Sequence, residues 1–155
     1  MSDLPTFVTI NEEGPREGFQ IEPGPISTAD KIKLIDALSE TGLKNIQACS
    51  FVNPRLVPGW ADAEAVVEGF KAVKGIKYTG LYFNGNGLDR ALKYQGKLTL
   101  SGSISLTASK GFTQKNLHRS HIENWAGMKR HAIAHFDHKI SVNSIGVMAA
   151  FGCNY

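Results

Sequence analysis

Residues 27–52 read STADKIKLIDALSETGLKNIQACSFV. Within this stretch a helix with both ends marked runs into a strand. Ser27 and Asp30 have the spacing of an N-terminal capping box, and Gly42 stands where helices stop. Between them Ile32, Ile35 and Leu38, joined by Leu34, supply an apolar stripe at helical spacing. NIQACSFV, at 45–52, then has the short apolar run of a buried strand. A helix feeding directly into such a strand is half of a βαβ crossover, and crossovers of this kind join parallel strands.

The same alternation extends in both directions. FVTI (7–10) is a short β-rich run before the helix. After NIQACSFV comes a helical stretch, ADAEAVVEGFKAVKG (61–75), which buries Val66, Val67, Phe70 and Val73. A strand IKYTGLYF (76–83), a short helix NGLDRALKYQG (86–96) and a strand KLTLSGSISL (97–106) follow. SHIENWAGMKRHAIAHFDHK (120–139) is a long helix with Ser120 and Glu123 again at capping-box spacing, and ISVNSIGVMAAFG (140–152) is a last strand. The order is α/β, with about five parallel strands and four helices in residues 1–155, read as a single domain. An open doubly wound sheet fits this order, and so does the N-terminal part of an eight-stranded (β/α)8 TIM barrel. Two features favour the barrel. The sequence closes on a strand that no helix covers. The segments after strands, NEEGPREGFQIEPGPI, NPRLVPGW and TASKGFTQKNLHR, are also long and polar, as the active-face loops of a barrel are.

Composition excludes several classes. The chain has 155 residues, 42% hydrophobic and 20% charged, ordinary for a globular domain. No apolar run approaches the ~20 residues that span a bilayer, and the start MSDLPTF lacks the basic and apolar parts of a signal peptide. A cytoplasmic protein without membrane contact is expected. Net charge is +3, but the 17 basic residues are spread out, so no nucleic-acid partner is expected. Two cysteines, Cys49 and Cys153, make neither a disulfide scaffold nor a four-cysteine zinc site.

Several residues invite chemistry. Gly14-Pro15-Arg16-Glu17-Gly18 follows the first strand, so Arg16 and Glu17 are expected at the barrel mouth. A guanidinium is a permanent cation with a planar donor fork, suited to an oxyanion or enolate. A carboxylate beside it suits a hard divalent cation. On composition alone the same pair is an ordinary surface ion pair in a Gly/Pro turn. His131, His135 and His138 have metal-gripping spacing, but a helical projection places them opposite Ile122, Trp125, Ala132, Ile133 and Phe136. They are therefore expected to face solvent, with that apolar stripe buried. GNG (85–87) reads as a turn opening a helix, and Asn84 before it is a candidate for the barrel mouth. Trp60 and Trp125 are expected to pack helices. Arg55 and Lys110, on loops after strands, are candidates for meeting the phosphates of a ligand.

The segments GPREGFQIE, STADKIKLIDALSETGLKNIQACSFVNPRLVPGWAD, SKGFTQKNLHRSHIE and GCNY resemble the N-terminal half of the 3-hydroxy-3-methylglutaryl-CoA lyase family, among metal-dependent TIM-barrel acyl-CoA lyases and Claisen-type synthases. The resemblance runs from about Val8 to Tyr155. It implies a carbon–carbon lyase that takes an acyl-CoA to acetyl-CoA and a keto acid through an enolate, with Mg²⁺ or Mn²⁺ as cofactor and a place in leucine degradation. It makes Arg16 the catalytic cation at the enolate, Glu17 the metal ligand, and Gln20, Gln47, Ser50 and Ser109 substrate-binding residues; Asn84 is added from its place after the third strand. Cys153 matches a cysteine without a catalytic role. Two positions depart from the pattern: Glu17 stands where the family has aspartate, and Gln47 where it has glutamate. The remaining family metal ligands lie beyond Tyr155, so this piece alone is expected to be inactive and a homodimer is possible. The other readings are a non-catalytic or altered-specificity homologue, binding acyl-CoA or running a Claisen-type condensation, and a free-standing open α/β ligand-binding domain.

Overall fold

The structure, a computed structural model, describes residues 3–155; Met1 and Ser2 of the MSDLPTF start lie outside the described residues. The chain divides into two compact units. One comprises the chain up to Tyr82 together with Gly87–Thr99, the other Phe83–Asn86 and Leu100–Tyr155.

In the first unit the order is β1 (Asn11–Glu12), α1 (Gly14–Ile21), α2 (Thr28–Ser39), β2 (Asn45–Ser50), a 3₁₀ turn (Pro58–Trp60), α3 (Ala63–Gly69) and β3 (Lys77–Leu81), followed by α4 (Gly85–Leu92), whose first two residues belong to the other unit. The three strands form one parallel sheet in the order β1-β2-β3. The capped helix of residues 27–42 forms as its sequence requires: Asp30 N–H donates to Ser27 Oγ at 3.1 Å, and Gly42 takes φ 90° just beyond the helix. Ile35, Ile46, Val66, Val67, Phe70 and Tyr78 are buried and make the core between sheet and helices. The Tyr78 and Phe70 rings lie 4.8 Å apart, and the Tyr78 hydroxyl meets Ser39 Oγ at 2.7 Å.

The first strand differs from its sequence reading. Phe7, Val8 and Ile10 are exposed and outside any strand, and pairing is confined to Asn11–Glu12. The expected loop after it is instead α1, with Pro15 in its first turn, where proline's fixed φ and missing N–H suit a helix start. Together with α5 below, this makes six helices among the described residues where four are expected.

The second unit contains β4 (Gly102–Thr107), α5 (Lys110–Leu117), α6 (His121–Asp137) and β5 (Val142–Met148), the two strands parallel. Ser109 caps α5 by accepting from Phe112 N–H at 3.1 Å, which is why the expected loop is helical. Ser120 and Glu123 close a reciprocal capping box on α6.

The expected faces of α6 are reversed. Asn124, His131 and His135 are buried, while Ile122 and Phe136 are each 82% exposed and Trp125 and Ile133 also lie outward. Only His138 is exposed as expected. Residues 124, 131 and 135 share one helical stripe, and α6 lays that stripe on β4. Glycine at 102 makes the approach possible, because a Cβ there would stand 2.8 Å from His135 Cδ2 and 3.1 Å from Val142 Cα. The two imidazoles pack edge to face at 4.3 Å, and His135 Nδ1 lies 2.7 Å from the His131 carbonyl oxygen. Trp125 is more than half exposed, whereas Trp60 is buried. No helix of the described residues is long and apolar enough to cross a membrane.

Candidate active site

Strand β2 is the rail on which the first unit builds its polar cluster. Its pairing with β3 runs Ile46 to Tyr78 and Gln47 to Thr79, then slips, so that Cys49 faces Gly80 and Ser50 faces Leu81. Thr79 and Leu81 are two residues apart on a regular strand and point to the same side of the sheet. Their partners Gln47 and Ser50 therefore share that side, although three residues apart. An unbroken strand would put them on opposite faces; the extra residue of the bulge brings them together.

Arg16 arrives on this side from α1, directly after β1. Its Nε donates to Gln47 Oε1 at 2.5 Å and its Nη2 to Glu13 Oε2 at 2.7 Å, while Nη1 pairs with the Glu17 carboxylate. The Arg16 side chain is only 13% exposed, whereas both carboxylates are about half exposed. The guanidinium is thus fixed by a neutral amide from inside and by two acids from the rim. It carries more donors than these contacts use. Gln20, one helical turn on, is exposed on the same side of α1. Ser50 Oγ is buried and has no hydrogen-bond partner among the described residues. A buried hydroxyl left so is costly, and is the kind of group a ligand satisfies.

The other candidates fall elsewhere. Asn84 is exposed just after β3. In the second unit the Ser109 hydroxyl caps α5 and accepts from the Cys153 thiol at 3.0 Å. That hydrogen bond pulls the Cys153 thiol below its ordinary pKa. Burial raises the Cys49 thiol instead, with the nearby Glu64 charge adding to it. Both cysteines are free. Arg55 and Lys110 are exposed. A hollow of about 400 Å³ in the first unit is lined by Pro15, Phe19, Ile26, Leu34 and Leu38, on a different face of α1 from Arg16. Glu12 and Glu22 also stand at its wall.

The fit of a divalent cation can be judged from these groups. Mg²⁺ and Mn²⁺ need several hard oxygen donors. Among the described residues no group of three His, Cys, Asp or Glu side chains converges on one point. The Glu17 carboxylate and the Gln47 oxygen are both engaged by Arg16. These residues do not by themselves fit a bound cation. Sequence reasoning missed two participants. Glu13 belongs to the same rim, and Trp60 donates from its indole Nε1–H to the Arg16 carbonyl at 3.1 Å. The acid run around residues 12–17 was a signal for the first; nothing local marks the second.

No family model matches the chain. It is 41% identical over 155 residues to the mitochondrial hydroxymethylglutaryl-CoA lyase of Macaca fascicularis, covering the whole chain and 46% of that protein. The structure matches the hydroxymethylglutaryl-CoA lyase of Pseudomonas aeruginosa with a TM-score of 0.84 at 34% identity, over 99% of this chain and 50% of that one. A hydroxymethylglutaryl-CoA lyase of Acinetobacter baumannii, solved in complex with coenzyme A and 3-methylmalate, matches with a TM-score of 0.79 at 32% identity, over 99% of this chain and 48% of that one. The chain spans about half the length of the curated relatives it matches. Its fold is part of the TIM barrel of these lyases, and the free-standing open-sheet reading falls.

Proposed function

Because the chain is related over its whole length to hydroxymethylglutaryl-CoA lyases, we propose that it is the N-terminal part of one barrel domain of a carbon–carbon lyase. The proposed reaction takes a 3-hydroxy-3-methylglutaryl-CoA-like thioester to acetyl-CoA and a keto acid, acetoacetate for the parent substrate. A base removes the proton of the tertiary hydroxyl, and that oxygen becomes the ketone of the keto acid. The carbon–carbon bond breaks, and its electron pair passes to the thioester fragment as an enolate. Protonation of the enolate carbon completes acetyl-CoA.

The observation that carries this reading is the Arg16 guanidinium, tied through Nε to Gln47 on the side of β2 that also holds the unpartnered Ser50 hydroxyl. A preorganised cation at a developing oxyanion needs no rearrangement as charge forms. Arg16 is proposed to meet the enolate oxygen, and Gln20, Gln47 and Ser50 of the same unit are proposed to contact substrate. Glu17 is proposed to contribute one carboxylate to a divalent-cation site that the described residues do not complete. A homodimer and a cytoplasmic location belong to the same proposal, tested by light scattering and by cell fractionation of the protein in its full natural length.

One observation favours a second reading. Gln47 is a neutral amide, and Glu17 spends its charge on Arg16. Both facts suit a homologue of altered specificity, running a Claisen-type condensation or binding acyl-CoA without cleaving it. The deciding experiment incubates the full-length protein with 3-hydroxy-3-methylglutaryl-CoA and Mg²⁺ or Mn²⁺ and measures acetyl-CoA. Release supports the lyase. Tight thioester binding without release supports the second reading.

A further inference from the structure

Helix α1 has little to hold it in place by itself. It has eight residues, and its N-cap residue Glu13 makes no side-chain capping bond. A helix that short is marginal without outside contacts. Yet it carries Arg16, whose guanidinium must keep a 2.5 Å bond to Gln47 on a different element.

Besides its packing on β2 and α2, α1 is contacted by Trp60, which is fully buried on the 3₁₀ turn. Its indole N–H donates to the Arg16 carbonyl at 3.1 Å, and its ring lies 6.3 Å from the Phe19 ring on the same helix. Behind it, the Lys31 ammonium sits 4.9 Å from the centre of the indole. Lys31 is only 3% exposed, and it donates to the Gly59 carbonyl at 2.5 Å and to Asp62 Oδ1 at 2.6 Å. The other oxygen of Asp62 accepts from Thr28 Oγ at 2.6 Å. The turn bearing the indole is therefore tied to the start of α2 at Gly59 and, just after it, at Asp62. An indole held so cannot follow a drifting helix; it holds the helix instead.

We propose that Trp60 is a positioning residue of the site: its indole N–H pins the Arg16 peptide, and through it the guanidinium over β2. This rests on the reading of Arg16 as the cation at the enolate. The donor is the essential part, since a phenylalanine ring would fill much of the same space and hold no carbonyl. Displacing a catalytic group by about 1 Å costs on the order of 100-fold in rate.

The test reads the side chain of Arg16 directly. In the full-length protein labelled with ¹⁵N, hydrogen exchange of each arginine Nε–H is followed by NMR. Arg90 serves as internal reference, because its Nε donates to Glu64 at 2.5 Å within the same unit. Trp60→Phe removes the donor. Replacing the indoles biosynthetically with the sulfur isostere benzothienylalanine removes it while keeping shape, and the second indole, Trp125, is exposed and tolerates the exchange. In either variant the Arg16 Nε–H is expected to exchange about tenfold faster, as for the loss of one hydrogen bond, with Arg90 unchanged. In an active enzyme kcat falls and KM holds. Unchanged Arg16 exchange overturns the proposal, and so does equal acceleration at Arg16 and Arg90, which would mean general loosening. Selective acceleration at Arg16 without any acetyl-CoA release upholds the pin and counts against the lyase reading alone.

Discussion

Acid should loosen the second unit through His131. This residue is buried against His135, whose own ring lies against Gly102 of β4. Burial, helped by the neighbouring His135 charge, lowers its pKa from 6.5 to about 4. The sign follows from linkage. Between these values the unfolded chain takes up a proton that the folded chain refuses, so stability is complete above pH 6.5 and falls as pH drops toward 4. At about 1.4 kcal/mol per pKa unit the loss reaches about 3 kcal/mol by pH 4, of which about 2 kcal/mol has gone by pH 5. Glu64, lowered by its Arg90 hydrogen bond, and Glu123, lowered by the Ser120 backbone, add their own losses only at more acid pH. The window from 6.5 to 5 therefore belongs to histidine. Urea midpoints of wild type and His131→Leu across this window make the comparison, with an NMR titration of the His131 ring alongside. The wild-type profile should slope and the variant's should flatten. Parallel profiles, or a His131 ring that titrates near 6.5, would refute the reasoning.

Arg16→Ala should lower kcat by about 10²–10³, the usual loss of one oxyanion donor, and leave KM within a few-fold; equal damage to both, read from initial rates of acetyl-CoA release, would make Arg16 a substrate anchor only. Arg90→Met removes a paired contact to Glu64 at 2.5 and 2.7 Å and the donor to the Val52 carbonyl at 3.0 Å. The pair is partly solvent-screened, so about 1–2 kcal/mol of stability should be lost in urea unfolding. Gly102→Ala forces a Cβ against Val142 backbone and His135, and should cost about 1–3 kcal/mol, with weakened amide protection in β4 and α6. Gly18→Ala, in open space within α1, should instead be neutral or stabilising by up to about 1 kcal/mol, and a loss there would contradict the placement of α1.

The reversal of α6 shows where pattern reading breaks. Ile122, Trp125, Ile133 and Phe136 form a better apolar stripe than the face that is buried, and periodicity alone selects them. Hydrophobicity identifies a face that wants cover; it does not say which neighbour supplies it. On α6 the neighbour that is present, β4, accepts the histidine face because glycine at 102 leaves room. The two unforeseen helices have a similar origin. GPREGFQI and KGFTQKNL are rich in loop-forming residues, yet Pro15 suits a first turn and Ser109 supplies a cap.

Local sequence by itself determined the βα alternation, the capped helices at Ser27 and Ser120 and the parallel sense of the strands. These follow from short-range rules: period, caps and connection length act within a few residues. Tertiary structure alone decided that Arg16 meets Gln47 and Trp60. The slip between Gln47 and Cys49 turns Ser50 to Gln47's side, and Trp60, 44 residues away, reaches the Arg16 carbonyl. Neither is written in any window of sequence, because a bulge is set by how one strand pairs with another, and a hydrogen bond across such a separation exists only once packing has closed the distance.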